Sequence, residues 1–121
     1  ERIDSFCVYG YQSKDMINRL IARKSMNLYT LHSQYRYYDI LRHDINKWVG
    51  VSYLAEQLGI PHKDIIAVGN FTNDIEMVSY SGIGVAVKNA SEDVKNVADY
   101  VTKRSNNENA IGEIVEKFIL N

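Results

Sequence analysis

Only one cysteine, Cys7, and one proline, Pro61, occur in the 121 residues. A lone cysteine closes no disulfide within the chain, so nothing points to a small disulfide-stapled secreted domain, and a cytoplasmic location is the default. There is no Pro-rich linker, internal repeat or low-complexity tract. No apolar stretch approaches the roughly 20 residues of a membrane span, and no charged, then apolar, then small-residue signal pattern follows Glu1. A net charge of −1 supplies no electrostatic reason to expect nucleic acid or an anionic membrane as partner. His32, His43 and His62 lack metal-ligand spacing. No Gly-x-Ser-x-Gly elbow occurs, and Gly82-x-Gly84 lacks the third glycine of a dinucleotide loop and precedes a strand. The run Tyr35-Arg36-Tyr37-Tyr38 fits strand propensity better than base stacking.

What remains has the make-up of an ordinary soluble globular domain, or of two small pieces of a larger one, with 45% hydrophobic and 24% charged residues. Residues 1–44 carry seven Lys/Arg against five Asp/Glu, whereas residues 45–121 carry seven against ten. The acidic second part is compatible with binding a cation.

The pattern of apolar residues predicts two kinds of architecture. Residues 3–9 read as a strand, followed by a turn at Gly10, a helix N-cap at Ser13 and an amphipathic helix over 14–24. Strands over 27–32 and 36–41 around a Ser33-Gln34 turn complete β-α-β-β. From Asn46 strands alternate with helices: helix 47–58, strand 65–68, helix 74–80, strand 83–87, helix 91–97, strand 99–102 and helix 108–120. That alternation predicts an open, mostly parallel α/β sheet, and Ile65-Ile66-Ala67-Val68 is unbroken in the way of a strand covered on both faces. The junction falls at His43-Asp44-Ile45-Asn46.

Parallel α/β sheets bind ligands beyond the carboxyl ends of their strands, which directs attention to Gly69-Asn70-Phe71-Thr72-Asn73-Asp74. Glycine permits a sharp turn, and oxygen-bearing side chains come next at the mouth of a helix, a donor set suited to a hard cation such as Mg²⁺. Residue type and spacing equally allow Asn73 or Asp74 to be a helix cap and nothing more.

The stretch Gly69 to Met77 resembles the GDxxNDIxM signature of Cof-type haloacid dehalogenase-like (HAD) phosphatases, and Ile75-Glu76-Met77 favours that type over the related loop of P-type ATPases. Ser81 to Ala90, Val94-Lys95, Ala98 to Thr102 and Ser105-Asn106 resemble, in order and spacing, the family's segments C-terminal to that signature. Upstream, Asn46-Lys47 resembles its phosphate-contacting lysine element, and Leu54 to Ile60 the helix and turn after it. The resemblance implies an α/β fold: a Rossmann-like parallel sheet over residues 45–121, the C-terminal part of a HAD core, preceded over residues 1–44 by a β-α-β-β remnant of an α+β cap. It implies hydrolysis of small phosphorylated metabolites, sugar phosphates or similar, through an aspartyl-phosphate with Mg²⁺ as cofactor. Lys47 is then catalytic, Lys47 and Asn73 bind phosphate, and Asn70 and Asp74 face the metal.

This chain departs from the family pattern in three places. Asn70 stands where the family has a metal-ligating aspartate, which implies weaker Mg²⁺ affinity or a larger share for Asp74 and for groups outside the chain. Trp48 replaces a glycine and is expected to pack on a neighbouring helix. No Asp-x-Asp occurs, so the nucleophile segment is missing and the chain alone is expected to be inactive. An N-terminal segment of the same protein, or an oligomer, is expected to cover the sheet edge that this absence exposes. The alternative is a catalytically decayed HAD-like module that binds a phosphorylated ligand or a protein partner.

Overall fold

The β-rich opening forms β1 (Phe6–Tyr9); residues 3–5 of the expected strand lie outside residues 6–120, which are those described by the computed structural model. The chain divides between Asn46 and Lys47 into two compact units.

In the first unit β1 leads through α1 (Tyr11–Arg23) to a hairpin of β2 (Leu28–Gln34) and β3 (Tyr37–Arg42). The strand order is β1-β3-β2, with β3 antiparallel to both neighbours. Cross-strand partners share a face, so Val8, Tyr38 and His32 point one way, as do Phe6, Ile40 and Thr30. That face carries α1: Thr30 Oγ1 donates to Asn18 Oδ1 at 2.8 Å, and the Tyr11 ring meets Tyr38 edge-on. Tyr38 and Ile40 are buried there.

Two local expectations are corrected. Gly10, at φ 95, occupies the helix N-cap in place of Ser13, since the chain leaves β1 in a conformation that suits glycine. Its amide donates to the Arg36 carbonyl at 2.8 Å, which ties the entry of α1 to the hairpin. The hairpin turn lies at Tyr35-Arg36, not at Ser33-Gln34. Pairing continues to Gln34↔Tyr37 across a bulge between His32 and Gln34, and Tyr35 takes the left-handed conformation at φ 51. A His32 ring nitrogen lies 2.6 Å from the Tyr35 carbonyl oxygen, a cross-turn contact that residue type does not announce.

The second unit begins with α2 (Lys47–Leu58), which ends in a Schellman cap: Gly59 sits at φ 67, and the Ile60 amide donates to the Ala55 carbonyl at 2.8 Å. After it come β4 (Ile66–Gly69), α3 (Ile75–Tyr80), β5 (Ile83–Ala86), α4 (Glu92–Val97), β6 (Tyr100–Val101) and α5 (Ala110–Phe118). Three-residue 3-10 turns at His62–Asp64 and Thr72–Asp74 precede β4 and α3. The strands form a parallel sheet in the order β4-β5-β6, as the strand and helix alternation predicts. Its core joins Val78 from α3, Ala86 from β5, Val94 from α4 and Ala110 from α5, together with Val87 and Ala90. The last helix starts at Ala110, two residues later than expected, because Asn109 turns left-handed and its side chain accepts the Gly112 amide at 3.2 Å.

Candidate functional site

β4 is a short apolar strand whose last residue, Gly69, is buried, and there the chain turns back on itself. A Cβ on Gly69 would lie 2.6 Å from Asp74 Cβ and 2.7 Å from Val78 Cγ2. Only glycine lets the strand end pass so close to the start of α3. The 3-10 turn Thr72–Asp74 then brings the Asp74 carboxylate over the strand end, within hydrogen-bond reach of the amides of residues 70 and 71.

Asp74 is 3% exposed and bonded on both oxygens. Oδ2 accepts the backbone amides of Asn70 at 2.9 Å and Phe71 at 3.2 Å, and Oδ1 accepts the ammonium of Lys47. A carboxylate taken out of water needs such partners, and charge-assisted bonds are the stronger kind. The pair also answers a misfit in α2, since Lys47 is its first residue, where the helix dipole disfavours a cation, and no acidic residue stands in its first turn. Asp74 supplies the missing negative charge from another element. Half of the Lys47 side chain remains exposed, and an ammonium has three donors, so the lysine can hold Asp74 and still donate to a ligand.

The helix-cap reading of Asp74 holds in part: it is the N-cap residue of α3 by position, and its side chain is the acidic arm of a capping box on the 3-10 turn Thr72–Asp74. Its side chain turns back to the loop amides before it and makes no cap bond to α3. Asn73, half-buried, sits in the same turn as Asp74, and Asn70 is exposed at the strand end. Asn70 is held from both sides, because its amide donates to Asp74 and its carbonyl accepts the Ser91 amide at 2.9 Å. Ser91 is a supporting residue that motif and spacing did not single out. Its place just before Glu92-Asp93 at the start of α4 was the one signal for it.

Trp48 packs: its ring meets His62 edge-on at 4.7 Å between centroids and lies 6.0 Å from Tyr80. Among the described residues, no group of three or more His, Cys, Asp or Glu side chains is placed to hold a metal ion. No described helix is long and apolar enough to cross a membrane.

Comparison with known proteins places this geometry in context. The sequence model of haloacid dehalogenase-like hydrolases matches residues 4–115. The chain is 32% identical over 114 residues to phosphoglycolate phosphatase 1 of Saccharolobus solfataricus, covering 93% of this chain and 49% of that protein. It is 29% identical over 114 residues to 5-amino-6-(5-phospho-D-ribitylamino)uracil phosphatase of Bacillus subtilis, covering 93% of this chain and 45% of the other. Among solved structures, a haloacid dehalogenase-like hydrolase from Bacteroides thetaiotaomicron superposes with a TM-score of 0.79 at 29% identity, over 95% of this chain and 44% of that one. The chain thus spans about half the length of these relatives.

Proposed function

The chain belongs to the haloacid dehalogenase-like hydrolases, and from that membership we propose that the whole protein is a Mg²⁺-dependent phosphohydrolase of small phosphorylated metabolites, sugar phosphates or similar monoesters. Residues 1–44 belong to its cap and residues 45–121 to the C-terminal part of its core. The observation that carries the reading is the convergence of Lys47 on Asp74 at the carboxyl end of β4, inside the stretch that the family model matches. The two relatives named as phosphatases support the same reaction class.

Hydrolysis in this proposal runs through an aspartyl-phosphate whose nucleophilic aspartate lies outside this chain. Lys47, tethered to Asp74, donates its remaining hydrogens to a non-bridging phosphate oxygen and stabilises the charge that develops there. Asn73 adds a neutral donor to the phosphate. On the cation side stand Asn70, an exposed residue, and Asp74, buried with both oxygens bonded. Mg²⁺, when bound, offsets the charge of the phosphoryl oxygens. A cytoplasmic location belongs to the same proposal.

The rest of the protein, or another subunit, covers what the second unit leaves open. β4 pairs only with β5 among the described residues, and Tyr53, Leu54 and Leu58 of α2 are exposed.

The test is release of inorganic phosphate by the whole protein from a panel of phosphomonoesters, with Mg²⁺ and with chelator. Mg²⁺-dependent release that Lys47→Ala lowers by roughly a hundredfold or more is expected. No release from any substrate would discard the reading and favour the second one, a catalytically decayed module that binds a phosphorylated ligand or a protein partner, for which Asn70 is the motivating residue. An Asp-x-Asp-Gly-Thr segment upstream in the reading frame would speak for the enzyme, and its absence for the module.

A further inference from the structure

The end of β6 and the helix α5 flank an open cleft of about 310 Å³, lined by Tyr100, Lys103, Arg104, Glu113, Glu116 and Lys117. Three cations and two carboxylates therefore share it. One of the carboxylates is used up within the wall, since Glu113 Oε1 accepts the Tyr100 hydroxyl and the Lys103 amide while Oε2 accepts the Arg104 amide. These bonds, the Lys103 amide first, keep its pKa below the ordinary value. Glu113 is thus a charged strut that fixes the backbone of Lys103 and Arg104.

The cations have no such commitments. Among the described residues, the charged groups of Lys103, Arg104 and Lys117 form no ion pair. The Lys117 ammonium lies 4.7 Å from the centre of the Tyr100 ring, an attraction that leaves its three N–H donors without a lone pair to bond. Tyr100 is itself held, by its hydroxyl on Glu113 and by edge-on contact with Phe118 at 5.6 Å between centroids. Lys117 is in this way placed against a fixed ring, beside two cations whose backbone is pinned by the same glutamate.

The lining defines the ligand. Three cations opposed by one uncommitted carboxylate, the exposed Glu116, call for a small anion of more than one charge. An arginine fork and lysine point charges are the groups that suit phosphate oxygens. The volume is at the lower end of ligand cavities, and Lys117 occupies a face of the aromatic ring in the lining, which leaves that face no use as a platform for a nucleobase. We propose that this cleft is a binding site for a small oxyanion of the phosphate class, held by Lys103, Arg104 and Lys117 and opposed by Glu116. Free phosphate and the phosphoryl group of a monoester share that chemistry. The proposal stands apart from the phosphohydrolase reading, because it uses none of the residues gathered around Lys47 and Asp74.

Amide NMR of the ¹⁵N-labelled whole protein tests it, with inorganic phosphate titrated at an ionic strength held constant by chloride. Saturable shifts at Lys103, Arg104 and Lys117 are expected. The combined variant Lys103→Gln, Lys117→Gln should weaken the Kd read from them by roughly tenfold, and Glu116→Gln should tighten it by about two- to fivefold, as suits exposed charges. Shifts that fail to saturate, that chloride alone reproduces, or that persist unchanged in the combined variant would overturn the proposal. Should that variant not fold, a Glu116→Gln Kd no tighter than that of wild type would do the same. Shifts confined to the Lys47 and Asp74 region would also overturn it while leaving the phosphohydrolase reading in place. A parallel titration with phenylphosphonate separates the two sources: tighter binding than phosphate gives a monoester as the ligand, and equal or weaker binding gives free phosphate.

Discussion

Lys47 and Asp74, 27 positions apart, meet through a hydrogen bond from the lysine ammonium to one carboxylate oxygen. Each relieves a strain in the other's surroundings: a cation at a helix N-terminus and an anion almost out of water. The other oxygen closes the loop after β4, so one carboxylate organises both the backbone and the lysine of the candidate site.

Removing the lysine tests that link. In the whole protein Lys47→Ala is expected to lower kcat by roughly a hundredfold or more, the scale seen when one preorganised donor to a developing charge is lost. The stability cost is about 1–2 kcal/mol, less than for a fully buried pair, because half of the lysine side chain is exposed and Asp74 keeps its two amide donors. Steady-state kinetics and urea denaturation read the two effects separately.

Gly69 tests the close approach that seats Asp74. A methyl group there meets Asp74 Cβ at 2.6 Å and Val78 Cγ2 at 2.7 Å, so Gly69→Ala is expected to destabilise by about 1–3 kcal/mol through overpacking. Activity should fall further than in a surface variant of equal stability, since Asp74 must move. A denaturation midpoint equal to that of wild type would show that the loop has slack.

A pH effect arises from Glu113 in α5. Its carboxylate accepts the Lys103 amide at 2.8 Å, the Tyr100 hydroxyl at 2.7 Å and the Arg104 amide at 3.0 Å. These bonds, the Lys103 amide first, hold its pKa below the ordinary value of 4.5. The folded state releases this proton more readily than the unfolded one, so the stabilisation is present above about pH 4.5 and is lost as the pH falls through the depressed folded value. Glu113→Gln should lower the thermal midpoint at neutral pH and shrink the difference from wild type as the pH falls below the ordinary value of 4.5. Equal pH slopes for the two proteins across that window would remove Glu113 from the account of acid stability.

The open flank of the second unit has a consequence in solution. Expressed by itself, the 121-residue chain should sediment as an oligomer or aggregate at micromolar concentration, because β4 has one strand neighbour among the described residues and α2 exposes Tyr53, Leu54 and Leu58. A single monomeric species by sedimentation velocity would contradict this.

The order of strands and helices was legible in the sequence, because apolar periodicity is a local property. The alternation after Asn46 and the unbroken strand before Gly69 reappear as β4 and its neighbours. The loop Gly69–Asp74 could be picked out as well, since glycine at a strand end followed by oxygen side chains is a short-range pattern, whereas Lys47 stood out only through its resemblance to the family's lysine element. What depended on contacts between distant segments could not be read. The hairpin turn moved to Tyr35-Arg36 through a bulge, and β3 and β5 became the central strands of their sheets. Asn70, Asn73 and Asp74 look alike on paper as oxygen donors. Only the folded chain distinguishes them, burying Asp74 against Lys47 and two amides while leaving Asn70 exposed, because the path of the backbone past Gly69 decides which side chain loses its water and must find partners inside.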